Sequence, residues 1–213
     1  MTSARDEILG RLREVQQTVN PRQLPDPWTS LRQFDDLAAR FASALTAAKG
    51  EVLTAASLDA ALSHLDDLLR EMKIMRGVVS FEPPLVGIDW EGRFPGISWH
   101  RPSKADEYAR QKSIDADVGI SSGVVGLAET GSVGVVSGPF ISRLGILLPP
   151  VHLVLLPASK LTPDLFTWSR ARSGEMPANL VFVSGPSKSA DIAQTLAVGV
   201  HGPGRFIVIV YND

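Results

Sequence analysis

The runs Val151-His152-Leu153-Val154-Leu155-Leu156 and Phe206-Ile207-Val208-Ile209-Val210 are apolar almost without alternation. A strand with one face in water alternates apolar and polar residues, so runs like these belong in a sheet covered on both faces. Shorter strand-like stretches, Glu51–Ala55, Arg76–Phe81 and Ala116–Ser121, are separated by segments of helical period. Leu31, Phe34, Leu37, Ala38, Phe41 and Leu45 mark one helix, expected to end at Gly50 in a left-handed cap. Ser57 is placed to cap a second helix, whose stripe is Leu58, Ala61, Leu62, Leu65, Leu68 and Leu69. This alternation predicts an α/β fold, a mainly parallel sheet flanked by helices.

Residues 3–19 read as a short amphipathic helix built on Ile8, Leu12 and Val15, followed by the proline-rich stretch 20–27. Residues 1–30 are therefore expected to form a helical arm with its linker, and residues 31–213 the α/β domain. Residues 82–102, with Pro83-Pro84, Trp90 and Trp99, read as a loop or edge hairpin, and a helix is expected from Ser103 to about Ile114. Seven glycines between Gly119 and Gly145 suit strands joined by tight turns. A helix over 162–172 and a strand over 179–184 follow, and the chain then runs through Gly185-Pro186-Ser187-Lys188 into an expected helix start.

Composition excludes several functions. The 213 residues include 21 basic and 23 acidic side chains, with no Lys/Arg cluster, so the electrostatic footprint of a nucleic-acid binder is missing. There is no Cys, which rules out a disulfide framework, a zinc knuckle, a thiolate-held iron–sulfur cluster and a cysteine nucleophile. The histidines at 64, 100, 152 and 201 share no metal-ligand spacing, so no metal is expected in this chain. The first residues carry acids where a signal peptide is basic and then apolar, and no apolar run reaches about 18 residues, so a cytoplasmic protein without a membrane span is expected.

Three segments carry candidate chemistry. In Leu127-Ala128-Glu129-Thr130-Gly131-Ser132 a lone carboxylate stands between an apolar strand and a glycine turn, a place for a base, nucleophile or ligand anchor, with Thr130, Gly131 and Ser132 as donors. The plain alternative is a solvated surface turn. Ser184-Gly185-Pro186-Ser187-Lys188-Ser189 leaves a strand toward the expected helix, where free amides, hydroxyls and Lys188 would hold an anion; the alternative is simple capping by Ser187. His201-Gly202-Pro203-Gly204 forms a turn in which His201 either binds an anion or bonds a backbone carbonyl. No phosphate-binding Gly-x-x-x-x-Gly-Lys-Ser/Thr loop, Gly-x-Ser-x-Gly elbow or dinucleotide fingerprint occurs, and the four Trp residues read as packing.

The order Ala128-Glu129-Thr130-Gly131-Ser132, Leu148-Pro149-Pro150-Val151-His152, Ser184 to Ile192 and Gly199-Val200-His201-Gly202-Pro203 resembles the LUD-domain family, in its lactate-utilisation C-protein branch. The resemblance covers roughly residues 30–213. It implies a fold similar to sugar-phosphate isomerases and CoA-transferases, and a part in oxidising L-lactate to pyruvate beside two iron–sulfur partner subunits. This cysteine-free chain then matches the component without clusters or other cofactor, binding a small anionic ligand or a partner; a homo-oligomer stays open. Ser132 and Ser189 stand where many relatives have Thr, and Lys188 where Arg is common, which replaces a bidentate fork by a point charge. A stand-alone enzyme remains the alternative, with Glu129 as a CoA-transferase nucleophile or as the base of a sugar-phosphate isomerase.

Overall fold

The computed structural model describes residues 4–18, 28–80, 82–103, 106–138, 143–173, 177–190, 196–199 and 201–213. The first half contains α1 (Ala4–Thr18), α2 (Leu37–Ala47), β1 (Glu51–Ala55), α3 (Leu58–Glu71), β2 (Arg76–Val79), α4 (Trp90–Arg93), β3 (Ser98–His100) and α5 (Ala109–Asp115). The second contains β4 (Val118–Ser122), β5 (Val125–Leu127), β6 (Ser132–Ser137), α6 (Arg143–Leu147), β7 (Val151–Pro157), β8 (Leu161–Thr162), α7 (Leu165–Ala171), β9 (Asn179–Val183), β10 (Lys188–Ala190), β11 (Leu196–Val198) and β12 (Arg205–Tyr211).

Six strands form the central sheet in the order β1-β12-β7-β4-β2-β3, with every pairing parallel. The two long apolar runs occupy its middle, as their lack of alternation requires. Their side chains still divide by period two. Leu153, Leu155, Ile207 and Ile209 face a core with α3, Trp90 and Phe94, whereas Val154, Leu156, Phe206, Val208 and Val210 face a second core with Phe41 and Leu45 of α2. Both faces are covered and the fold is α/β.

The glycine-rich half builds a second, mixed sheet in the order β8-β5-β6-β9, in which β6 pairs antiparallel with β5 and β9. Its Val133 and Val135 close the α2 core, so α2 is sandwiched between the sheets. That position fixes where the motif turns meet.

Several local expectations are corrected. The helix expected from Leu31 begins at Leu37, because the Asp36 carboxylate accepts the Ala39 amide and stops it there; Leu31 and Phe34 lie ahead of it outside any helix. The left-handed residue at its end is Lys49 (φ 71°), and Gly50 serves packing instead, since a Cβ there would meet Leu45 Cγ at 2.7 Å. Residues 82–102 hold α4 and the edge strand β3, which runs parallel to β2 rather than forming a hairpin. The helix expected from Ser103 starts at Ala109, residues 104 and 105 lying outside the described residues. No helix opens at Ser187, because Lys188-Ser189-Ala190 pairs antiparallel with Leu196-Ala197-Val198. The arm helix is α1, and the expected linker falls almost wholly outside the described residues.

Candidate functional site

The turn between β5 and β6 carries Glu129. Thr130 and Gly131 both donate to Leu127 O, and Gly131 sits at φ 67°, the left-handed region that favours glycine. A Cβ at Gly131 would stand 2.5 Å from Leu45 Cα, so the turn lies flush on α2. The Glu129 carboxylate is held by Arg32, Nη2 to Oε1 at 2.9 Å, and its backbone carbonyl accepts from Arg40 at 3.2 Å. Arg40 in turn stacks over the Phe34 ring, 5.4 Å from its centroid.

Arg32 also reaches buried Asp164, Nη1 to Oδ2 at 3.7 Å. Asp164 caps α7 by accepting the Thr167 amide at 2.7 Å and takes the Ser30 hydroxyl on its other oxygen. Burial pushes this carboxyl up, but the bonds from Ser30 and Thr167 and the Arg32 charge outweigh it and hold it below the usual range. Trp28 packs edge-on against Phe166, and Arg170 donates to Thr29. Residues 28–32 are thus strapped across α7, and Glu129 is clasped by the strap. Ser30, Arg32, Arg40 and Asp164 were not legible as site residues, since their link to Glu129 is made only by folding.

Ser132 joins the motif turns. Its hydroxyl lies 2.6 Å from Thr130 Oγ1 and 2.6 Å from Ser184 Oγ, a line of three hydroxyls contributed by two segments. Ser184 leads into Gly185 (φ 122°), where a Cβ would stand 2.8 Å from Ala48 O. Lys188 Nζ donates to that same carbonyl, at the negative C-terminal end of α2. The Ser187 amide donates to Pro203 O at 2.8 Å, Gly199 N donates back to Ser187 O at 2.9 Å, and a Cβ on Gly202 would be 3.3 Å from Ser187 Cβ. Thr130, Gly131, Ser132, Ser184, Gly185, Ser187, Lys188 and Gly202 therefore form one connected seam; His201 is exposed beside it, and the Ser189 side chain is outside the described residues.

The chemistry of the seam differs from the helix-start expectation. With a hairpin instead of a helix there is no macrodipole to attract an anion, the Ser187 amide is already used, and Lys188 is committed to α2. The line of mutually bonded hydroxyls and the Arg32–Arg40 pair beside Glu129 are what a ligand would meet. The seam also abuts the amino ends of β7 and β12, where Gly204 N donates to Pro150 O, and not the carboxyl ends where open α/β sheets usually bind ligands.

His152, from the Leu148–His152 motif, is buried in the sheet with Nε2 2.8 Å from Ser121 Oγ and no partner for Nδ1. Burial pushes its pKa down to about 3, so the ring is neutral. Among the described residues no group of three His, Cys, Asp or Glu is placed to hold a metal, and no helix is long and apolar enough to cross a membrane.

The family model of the LUD domain matches residues 38–211, from the first turn of α2 to the end of β12. The chain belongs to the LUD-domain family. This LUD domain is 42% identical over 109 residues to lactate utilization protein C of Halalkalibacterium halodurans, covering 48% of this chain and 47% of that protein. It is 32% identical over 131 residues to lactate utilization protein C of Bacillus subtilis, covering 59% and 54%. The LUD domain thus spans about half the length of the curated relatives it matches. In fold it is similar to a DUF162 family protein from Deinococcus radiodurans, with a TM-score of 0.54 and 17% identity over 83% of this chain and 96% of that one.

Proposed function

We propose that this LUD domain acts in lactate utilisation, as the component without iron–sulfur clusters, and that the seam along α2 receives a small anionic ligand or a partner segment. The identity of 42% to a lactate utilization protein C carries the pathway assignment. A chain without cysteine has no thiolates for a cluster, so a cluster serving lactate oxidation would sit on a partner. On the seam, the hydroxyls of Thr130, Ser132 and Ser184 supply adjustable donors, and Gly131, Gly185 and Gly202 let backbones approach closely. Ser187, Lys188, Ser189 and His201 border the same surface.

The clasp on Glu129 favours this role over a stand-alone enzyme. A glutamate acting as nucleophile or base needs free lone pairs, and an Arg32 ion pair at 2.9 Å stabilises the ground-state carboxylate and occupies one oxygen. The test is reconstitution. The purified chain alone is expected to leave L-lactate unoxidised, and to restore turnover when mixed with iron–sulfur proteins that co-purify with it. Lactate oxidation by the isolated chain, or a borohydride-sensitive glutamyl thioester at Glu129 with acyl-CoA, overturns this reading.

A further inference from the structure

The winding of the central sheet reverses between β2 and β4: β2 leads outward to β3, while β4, β7 and β12 build in the other direction. In open α/β sheets the crevice at the carboxyl ends of such a pair is where ligands bind. Here the two strands part at that end. Ser80 N still donates to Ile120 O at 3.0 Å, and the next rung of a parallel ladder would take Ser122 N to Ser80 O. Ser122 N turns instead to the side chain of Glu82, at 3.1 Å from Oε1. A carboxylate thus fills the gap where the ladder ends.

Nothing in the local structure calls for a charge there. Among the described residues Glu82 has no ion-pair partner, and its one bond to the protein uses a single acceptor site of the four a carboxylate offers. The neutral side chain of Gln would close the ladder equally well. Burial of the unpaired carboxyl pushes its pKa up to about 7. The amide it accepts belongs to Ser122, a buried residue whose hydroxyl can both donate and accept. A mostly buried carboxylate that has one donor and no ion-pair partner among the described residues, beside a hydroxyl, suits a ligand that brings its own O–H.

We propose that the β2/β4 carboxyl edge is a second ligand site, in which Glu82 accepts a hydrogen bond from the hydroxyl of a small hydroxy compound and Ser122 contacts the rest of it. The site lies apart from the Glu129 seam and does not depend on the function of that seam; only the choice of lactate as a probe rests on the lactate reading.

The experiment follows the Ser122 amide and the Glu82 side-chain carboxyl by NMR while the full chain is titrated with L-lactate, with propionate, which lacks only the 2-hydroxyl, and with glycerol as an uncharged hydroxy probe. L-lactate is expected to shift both signals with at least tenfold tighter binding than propionate. Glu82→Gln is expected to weaken lactate at least tenfold, while Glu107→Gln on the exposed surface leaves it unchanged. Glycerol binding without lactate binding supports the site and counts against lactate as its ligand. Equal binding of lactate and propionate, shifts confined to residues away from Ser122, or no shift with either hydroxy probe overturns the proposal. The wild-type comparison of lactate with propionate stands even if Glu82→Gln does not fold.

Discussion

Glu129 and Glu82 both follow apolar strands, yet the fold treats them oppositely. Glu129 stands in a turn that lies on α2, about one third exposed, with a guanidinium on its carboxylate and another on its carbonyl. Glu82 lies at the carboxyl edge of the sheet, where its one partner among the described residues is the Ser122 amide. A paired, solvated carboxylate costs the fold little; an unpaired buried one has its pKa raised by burial and costs the fold stability when it ionises. The motif drew attention to the first, but the pKa raised by burial belongs to the second.

The largest effect that sharpens this contrast is structural. Gly131→Ala would drive a Cβ into the α2 backbone at a left-handed position, so a loss of about 3 kcal/mol or more is expected in urea unfolding. A loss below about 1 kcal/mol would mean that the Glu129 turn is not seated on α2.

Next comes the pH dependence of Glu82. Its folded pKa of about 7 lies above the ordinary 4.5, so the native state binds the extra proton between those values. The associated stability is fully present below about pH 4.5 and is lost as pH rises toward 7 and beyond. Glu82→Gln should therefore be more stable than wild type at pH 8 by at most about 3 kcal/mol, and equal to it near pH 4, in paired denaturation curves. A pH-independent difference would remove the contrast with Glu129.

A smaller effect is expected for Arg32→Ala, about 1–2 kcal/mol, since buried Asp164 loses a charge but keeps Ser30 and Thr167. Carboxyl NMR should then show the Asp164 pKa rising. Glu129→Gln should change stability by no more than about 0.5 kcal/mol, because its ion pair is solvated. A larger loss for Glu129→Gln than for Arg32→Ala would show that the strap is organised around Glu129 rather than Asp164.

Much of the fold was readable in one dimension. The two apolar runs became the middle of a parallel sheet, and the Ser57 cap and its leucine stripe became α3, its side-chain oxygen accepting Ala60 N at 3.2 Å. These features rest on local period and capping, which neighbouring residues decide among themselves. The segment after Ser187 failed as a helix because its partners, Leu196-Ala197-Val198, lie beyond a stretch whose pattern does not announce the pairing. At the site, Gly131 belongs to the glycine-rich run that suits tight turns, whereas Gly185 was read as part of an anion-binding turn; both press on α2. The strap residues Ser30 and Arg32 carried no signal, since an Arg among polar residues reads as solvated until Glu129 is set opposite it.

By itself the amino-acid order settled the α/β class, the absence of thiolate chemistry, and the residues forming the motif turns, because these follow from composition and from repeats of two and 3.6 residues. Only the tertiary structure decided which carboxylate is paired and which is desolvated. Charge pairing and dehydration depend on what distant segments bring within a few ångströms, so two glutamates that each follow an apolar strand acquire different electrostatics.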